Sequence, residues 1–387
     1  MLDRIRDICH IINKIITPIS TEGCLHMEYF KKYSSNTLAG SGNQFFFCNE
    51  NEQQTRSCTL YQVTNGGEYP YSFLFSNTID STYSNGAISH KNLVIDSWTI
   101  DQMLVGVCSR CDAKSFEYPQ TMKQVLFCGQ KQKTVNPAEL FCTDPVTLNA
   151  KTGEYICVEI VFSGKIIPNH KESIVPSFIF DAGEWIASKN HPFVSMVGVE
   201  RPAKKKIAFL GDSITQGIGT PINSYEHWNA VFANLLGNEY AYWNLGLGYG
   251  RADDAASDGV WLYKAKQNDI VFVCYGVNDI LQGYSADSIK KNLQMIVDKL
   301  HELGIRVIMQ TIPPCNYSEE QRARWQEANN FIKFGLRNAE LVFDCAKYLA
   351  KSDSEPHMAK YGGHPNSAGC KVWGEALFDE ITEVIEK

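Results

Sequence analysis

The residues best suited to chemistry are a serine and a histidine in the second half of the chain. Ser213 ends the segment IAFLGDS, in which an apolar run passes directly into Gly211 and Asp212. His364 precedes Pro365, which stiffens the turn that holds the imidazole. A serine hydroxyl becomes a good nucleophile when an imidazole accepts its proton, and the imidazole can return that proton to a leaving alcohol. The two residues together predict acyl transfer.

Ser213 taken alone has a second interpretation. Serine is a favoured residue at the start of a helix, so Gly211-Asp212-Ser213 could simply cap a helix that follows a strand. The choice between a capping serine and a nucleophile therefore depends on the other segments.

Two more segments follow apolar strand candidates and offer hydrogen-bond donors. The segment NLGLGYGR, residues 244–251, contains three glycines, and glycine lets backbone N–H groups approach a ligand closely. Its spacing is not Gly-x-Gly-x-x-Gly and no Gly-Lys-Ser/Thr follows, which argues against a phosphate cradle. Asn278, in YGVNDI, adds a side-chain amide that could donate to a developing oxyanion.

An alternation of apolar strands and helical stretches after residue 206 must position these segments. The strand candidates are 207–211, 269–276, 306–312 and 341–345, and the helical candidates lie near 225–236, 286–303, 318–338 and 367–386. Strands that are apolar throughout are covered on both faces, which predicts a parallel sheet with crossover helices. Functional groups in such sheets gather outside the carboxyl ends of the strands, where the chemical segments fall.

Residues 40–200 have a different rhythm, which predicts an all-β domain. Segments rich in aromatic and β-branched residues are separated by turn dipeptides such as Asn-Gly at 65–66 and 85–86 and Thr-Gly at 152–153. The strand candidates are NQFFFCN, CTLYQVT, YSFLFSN, KQVLFCG and EYICVEIVFSG. We expect a β-sandwich in a first domain, residues 1–200, and an α/β domain in residues 201–387.

Composition and charge argue against some classes of binding partner. The 387 residues are 44% hydrophobic and 20% charged, and the net charge of -7 leaves no large basic surface for nucleic acid. No stretch approaches the roughly 18 apolar residues of a membrane span. Isoleucines recur at helical spacing among charged residues, which predicts a surface helix rather than a signal peptide; they are Ile5, Ile8, Ile12, Ile15 and Ile16.

The cysteines predict reduced thiols in a cytoplasmic protein. There are 13 of them without an export signal, and an odd count argues against a complete disulfide framework. Cys108 and Cys111 form a CxxC, which could be half a zinc site, a redox pair or two ordinary thiols. Cys128 and Cys142 are badly spaced for a zinc ribbon, so we expect ordinary thiols, no metal and no organic cofactor.

The chemical segments together resemble the SGNH, or GDSL-type, hydrolase superfamily. Its markers are a serine in Gly-Asp-Ser, a glycine in a second block, the asparagine of Gly-x-Asn-Asp and a histidine near the C-terminus, which map here to Ser213, the 244–250 loop, Asn278 and His364. The resemblance covers about 206–387 and implies a flavodoxin-like, three-layer α/β/α fold. A weaker resemblance extends upstream to the jelly-roll-like sandwich of two-domain carbohydrate-esterase-like members, in the segments YSFLFSNTID, VLFCGQ and FCTDPVTLNAKTGEYICVEIVFSG.

The chain departs from the family pattern beside its histidine. Tyr361 stands where family members often carry the aspartate that orients the imidazole. The resemblance therefore implies a Ser213–His364 dyad in which a backbone carbonyl holds the imidazole, with Asp353 and Glu355 as alternative carboxylates.

The chain also departs from the family pattern at the position of the second-block glycine. Counting from Asn244 as the family pattern suggests reaches Tyr249, between Gly248 and Gly250. A backbone N–H donates whatever its side chain, so the resemblance implies an oxyanion hole formed by Ser213, Gly248, Tyr249 and Asn278. Asp212 and Arg251 are further candidates for substrate contact.

The resemblance implies a serine esterase that removes a short acyl group, with acetyl expected first, from a carbohydrate or similar polar alcohol. Its partner would be a small-molecule or oligosaccharide ester. We expect it to bind neither nucleic acid nor a membrane, and the chain could form a homo-oligomer. Two alternatives stay open: a lysophospholipase or thioesterase of the same superfamily, and a non-catalytic sugar-binding protein on this scaffold.

Overall fold

The computed structural model describes residues 28–79, 83–84, 87–88 and 93–387, with only the backbone described at 83–84 and 87–88. The surface helix expected around Ile5 to Ile16 and the turn expected at 85–86 lie outside the described residues. Residues 28–32 are helical, and strands then dominate up to residue 199. We call residues 28–199 the strand-rich half and residues 206–387 the α/β half.

The strand-rich half contains eighteen of the described strands. They are β1 (Ser34–Ser35), β2 (Phe45–Cys48), β3 (Thr55–Gln62), β4 (Gly67–Ser76), β5 (Thr78–Ile79), β6 (Tyr83–Ser84), β7 (Ala87–Ile88), β8 (Leu93–Val94), β9 (Trp98–Cys108), β10 (Met122–Gln124), β11 (Lys133–Val135), β12 (Leu140–Cys142), β13 (Val146–Ala150), β14 (Tyr155–Ser163), β15 (Ile166–Asn169), β16 (Ser177–Asp181), β17 (Glu184–Ala187) and β18 (Met196–Val199).

Two antiparallel sheets form most of this half. One has the order β1-β18-β4-β12, with β13 also paired to β4, and the other has the order β10-β9-β14-β3-β16-β17, with β11 paired to β9. Tyr71 and Phe73 of the first sheet share one buried cluster with Ile100, Met103 and Ile156 of the second. Two sheets that bury a common core are consistent with the expected sandwich; its jelly-roll-like topology stays a prediction.

One predicted strand, KQVLFCG at 123–129, is largely wrong. Only Met122–Gln124 pairs with β9, and the rest turns back on itself. Cys128 has a left-handed backbone, with φ of 51°, and the N–H groups of Cys128 and Gly129 donate to the Asp144 carboxylate. A carboxylate that accepts two adjacent N–H groups stabilises a turn instead of a strand.

The α/β half alternates strands and helices as predicted, with bounds that differ by a few residues. Its elements are β19 (Lys206–Gly211), α1 (Ser213–Gln216), α2 (Trp228–Leu236), β20 (Ala241–Gly246), α3 (Ala252–Ala256), α4 (Val260–Ala265), β21 (Ile270–Cys274), α5 (Val277–Leu281), α6 (Ala286–His301), β22 (Arg306–Gln310), α7 (Glu319–Phe334), β23 (Leu341–Phe343), α8 (Cys345–Leu349), β24 (Ala350–Ser352), β25 (Glu355–Ala359) and α9 (Ser367–Ile385).

The predicted parallel sheet is confirmed, with five strands in the order β20-β19-β21-β22-β23. Numbered within the sheet this order is 2-1-3-4-5, which is that of flavodoxin-like folds. β19, β20 and β21 are adjacent, so the segments after them, which carry Ser213, the glycine loop and Asn278, meet at one edge.

The two halves are joined by buried contacts. Tyr29 and Phe30 of the strand-rich half belong to the hydrophobic core of the α/β half, and the Phe30 ring lies 6.0 Å from that of Trp243. The Trp243 indole N–H donates to the Ser195 carbonyl at 3.1 Å, and the Asn244 amide donates to that of Leu38 at 3.2 Å. The strand-rich half is thereby held against β20, beside the candidate site.

The stacked indoles of Trp228 on α2 and Trp373 on α9 are a central contact of the α/β core. Their ring centroids are 4.8 Å apart, both side chains are fully buried, and Trp373 also donates to Gln310. We predict that Trp373→Ala lowers the free energy of unfolding by about 3–5 kcal/mol, because it leaves a cavity and an unpaired amide oxygen. Urea unfolding measures this. Phe334→Ala, at a ring that is 85% exposed, should change it by less than about 0.5 kcal/mol; equal effects would contradict the assignment of the core.

Candidate active site

The turn between β19 and α1 places Ser213. Gly211 is required there, since an added Cβ would lie 2.1 Å from the Thr215 hydroxyl and 2.7 Å from the Cys274 carbonyl. Asp212 is the N-cap of α1, and its carboxylate accepts the Ile214 N–H at 2.9 Å. The capping function therefore belongs to Asp212, and the Ser213 hydroxyl is left for another partner.

That partner is His364. Ser213 Oγ lies 2.8 Å from His364 Nε2, across 151 residues of sequence. Partial burial lowers the pKa of His364 from its ordinary value of 6.5. An imidazole that is neutral near pH 7 can accept the serine proton, so the pair has the geometry and the charge state of a nucleophile with its base.

The turn that carries His364 is fixed from both sides. Asn366 caps α9 by accepting the Gly369 N–H at 3.1 Å, and its own N–H donates to the Tyr361 carbonyl. Gly219 lies so close on the other side that an added Cβ would be 2.5 Å from the Pro365 carbonyl oxygen. The position of the imidazole is thus set by backbone packing.

The orienting group expected at the second imidazole nitrogen is not found. Among the described residues no hydrogen bond joins His364 Nδ1 to a backbone carbonyl or to a carboxylate. Glu355 is paired with Lys351 at 2.9 Å instead, on the β24–β25 hairpin. The carboxylate whose charge acts on His364, raising its pKa against the larger effect of burial, is Glu172 of the strand-rich half.

The glycine loop lies beside the serine, but Gly248 does not offer its N–H as predicted. That N–H donates to the side-chain oxygen of Gln216 at 2.8 Å, and the Gly250 N–H donates to the Leu247 carbonyl at 3.0 Å. Both donors are engaged within the fold, so they are not available to an oxyanion in this arrangement.

Tyr249 has the backbone conformation that explains why a glycine is expected at this point. Its φ is 62°, in the left-handed region that glycine adopts without steric cost. Its ring lies 6.3 Å from that of Phe45, in the strand-rich half. The side chain at this position therefore reaches the boundary between the two halves.

The Asn278 amide is held between the glycine loop and the turn before Ser213. It donates to the Gly250 carbonyl at 2.9 Å and makes a long, weak contact of 3.4 Å with the Asp212 carboxylate. Asn278 is half-buried near the start of α5. Among the described residues no group accepts the Ser213 N–H, so this backbone donor at the start of α1 is the clearest candidate for an oxyanion contact.

Asp212 and Arg251 were expected to contact the substrate, but both side chains are almost completely buried. Asp212 is 2% exposed, and burial raises its pKa to about 7. Arg251 is 1% exposed and is bound to Asp254 at 3.0 Å, to Gln282 and to the Tyr284 hydroxyl. Both side chains are used inside the fold, where a substrate does not reach them.

Three side chains near the site were missed by sequence reasoning. Gln216 is fully buried at the end of α1, and its amide joins the Gly248 N–H to the Glu172 carbonyl, which accepts at 2.8 Å. Gln44 and Glu172 come from the strand-rich half. Gln216 could have been suspected from its place three residues after Ser213, whereas nothing in the sequence links Gln44 or Glu172 to the serine.

The part of the chain that the structure describes contains no group of three or more side chains arranged to hold a metal ion. Its cysteines, including Cys108 and Cys111, are free. None of its helices combines the length and the apolar character that crossing a bilayer requires.

The segment that carries the candidate site matches a known protein family. Residues 209–372 match the model of the GDSL-like Lipase/Acylhydrolase family. The α/β half, residues 206–387, is thus similar to GDSL-like hydrolases over most of its length, and we call it the hydrolase domain below. No curated protein matches the chain.

The hydrolase domain is also similar to solved structures. Psychrotrophic esterase EstA from Pseudoalteromonas sp. is 17% identical, with a TM-score of 0.39 over 47% of this chain and 99% of its own. A lipolytic protein of the G-D-S-L family from Veillonella parvula is 18% identical (TM-score 0.36, 46% and 98%). A carbohydrate esterase family 3 member from Talaromyces cellulolyticus is 20% identical (TM-score 0.34, 47% and 98%).

The contact between Ser213 and His364 predicts a reactive serine. A fluorophosphonate probe should label the protein once, because Ser213 Oγ, assisted by the imidazole, attacks phosphorus and displaces fluoride, which leaves a stable phosphonate ester on the serine. Intact-mass measurement should show the adduct on wild type and not on Ser213→Ala. Ser367→Ala, at a hydroxyl that is bonded to Glu226 on the surface, should be labelled like wild type. Labelling of Ser213→Ala to the wild-type extent would contradict the assignment.

Proposed function

We propose that the hydrolase domain is a serine esterase that removes short acyl groups, acetyl first among them, from a carbohydrate or similar polar alcohol. The observation that carries the proposal is the 2.8 Å contact between Ser213 Oγ and His364 Nε2, in a domain whose family comprises lipases and acylhydrolases. The natural partner would be a small-molecule or oligosaccharide ester.

The reaction follows from the positions of these groups. Ser213 Oγ attacks the ester carbonyl carbon while His364 Nε2 takes the hydroxyl proton. The bond to the alcohol oxygen breaks, and His364 returns the proton to that oxygen. Water then attacks the acyl-serine with His364 again as the base, which releases the carboxylic acid and restores Ser213.

The oxyanion of each tetrahedral intermediate needs preorganised donors. We assign the Ser213 N–H and the Asn278 amide, which would exchange its long contact with Asp212 for the oxyanion; the backbone at Tyr249 is the third candidate. Loss of one such donor typically lowers turnover by ~10²–10³.

Short acyl groups on polar alcohols suit the surroundings of the glycine loop. Side chains of Gln44, Glu172 and Gln216 would all lie within 3.3 Å of a Cβ added at Gly248. Of these three side chains only Glu172 is half-buried, whereas Gln44 and Gln216 are fully buried. An apolar acyl chain that covered the Glu172 carboxylate would remove it from water without giving it a hydrogen-bond donor, at a cost in free energy. This carboxylate supports the esterase over a lysophospholipase or thioesterase that takes long chains.

Hydrolysis of p-nitrophenyl esters tests the proposal. We expect kcat/KM to decrease from acetate to butyrate to octanoate, and Ser213→Ala to lose at least ~10³-fold of the acetate activity, because the nucleophile is gone. Wild type no faster than Ser213→Ala on every ester would refute the esterase and favour a sugar-binding protein on this scaffold.

The pH dependence of the same reaction tests the base. His364 must be neutral to accept the serine proton, so activity is present above the pKa of His364 and is lost as the pH falls through it. Since burial lowers this pKa, the acid limb of kcat/KM should have its midpoint below pH 6.5. A midpoint near pH 7 that disappears in Asp212→Asn would instead assign the limb to Asp212, whose pKa is raised to about 7.

A further inference from the structure

The strand-rich half places a carboxylate next to the reacting groups. Glu172 follows β15, and its backbone is fixed at both ends: its N–H donates to the Gln44 side-chain oxygen at 3.1 Å, and its carbonyl accepts the Gln216 amide at 2.8 Å. A Cβ added at Gly248 would lie 2.3 Å from Glu172 Oε2. The carboxylate therefore lies against the glycine loop of the hydrolase domain, within electrostatic reach of His364.

The Glu172 carboxylate is only partly satisfied. Oε2 accepts the Gln44 amide at 2.7 Å, and among the described residues Oε1 has no hydrogen bond and the carboxylate has no ion-pair partner. The side chain is half-buried, so it remains open to a molecule in the site. A half-buried carboxylate oxygen without a donor gains most from a ligand that supplies an O–H or N–H.

We propose that Glu172, held by Gln44, is a specificity-determining residue of the esterase, and that it accepts a hydrogen bond from a free hydroxyl group of a polyol substrate, near the ester being cleaved. The strand-rich half would thus supply part of the alcohol-binding subsite. This inference rests on the esterase function proposed above.

A hydroxyl fits this position better than an apolar or an anionic substituent. An apolar substituent would cover the carboxylate without giving it a donor, which is costly for a charged group. A second carboxylate on the substrate would be repelled. A neutral hydroxyl donates a charge-assisted hydrogen bond and brings no charge toward the oxyanion or His364.

Glycerol monoacetate and glycerol triacetate provide the test, because they share the acetyl group and the carbon skeleton and only the monoacetate has free hydroxyls. The quantity measured is the ratio of kcat/KM for the monoacetate to that for the triacetate. Glu172→Gln keeps the shape of the side chain and removes its charge. We expect it to lower this ratio roughly tenfold, the difference between a charge-assisted and a neutral hydrogen bond.

The matched control is Glu184→Gln, the same change of charge at an exposed position on β17, which should leave the ratio at its wild-type value. If Glu172→Gln melts earlier than wild type, Glu172→Asp is measured as well; its shorter carboxylate should also lower the ratio.

Each outcome is decisive. A ratio that falls for the Glu172 variants alone supports the proposal. A ratio equal to that of wild type, even with both rates reduced, overturns it while leaving the esterase intact. Wild type no faster than Ser213→Ala on either acetate overturns the esterase, and this inference with it.

Discussion

The arrangement of the site depends on the two hydrogen bonds made by the side-chain amide of Gln216. Its oxygen accepts the Gly248 N–H of the glycine loop, and its nitrogen donates to the Glu172 carbonyl of the strand-rich half. Gln216 is fully buried, so both hydrogen bonds lie where an unpaired polar group is costly. Because Gln216 is the last residue of the short helix that begins with Ser213, one amide sets the nucleophile, the loop beside it and the neighbouring half relative to one another.

Burial also sets the charges of two residues of the site. Partial burial of His364 lowers its pKa, which favours the neutral base, and burial of Asp212 raises its pKa to about 7 while Asp212 caps α1. The His364 imidazole has no hydrogen-bonded carboxylate among the described residues, and the negative charge that acts on it comes from Glu172 instead. The dyad is therefore positioned mainly by backbone packing around Pro365 and Gly219.

Sequence patterns predicted the α/β half well, because each of its buried strands is a short, uniformly apolar segment that can be recognised from neighbouring residues alone. Uniformly apolar segments became the strands of a parallel sheet. Residue type and the resemblance together predicted the pairing of Ser213 with His364, whose side chains lie in contact. The pattern failed at KQVLFCG, where the contact between Asp144 and the N–H groups of Cys128 and Gly129 favours a turn. Asp144 lies 15 or more residues away in the sequence, so the strand pattern of KQVLFCG contains no sign of this contact.

The details of the site depend on tertiary contacts and could not be predicted in the same way. Gly248 was expected to donate to an oxyanion, but Gln216 accepts its N–H. Arg251 was expected near a substrate, but it is buried against Asp254 and Tyr284. Glu172 and Gln44 reach the site only because the two halves pack together, and no local signal in either segment marks them.

The most direct test of the central claim, an acyl-enzyme on Ser213, is the partition of products when methanol competes with water. Phenyl acetate and p-nitrophenyl acetate have different leaving groups but would form the same acetyl-serine. A shared acetyl-serine predicts an identical ratio of methyl acetate to acetate from the two substrates at every methanol concentration, since the leaving group has departed before the partition. A ratio that depends on the leaving group would mean that water attacks the ester directly, and would contradict an acyl-enzyme on Ser213.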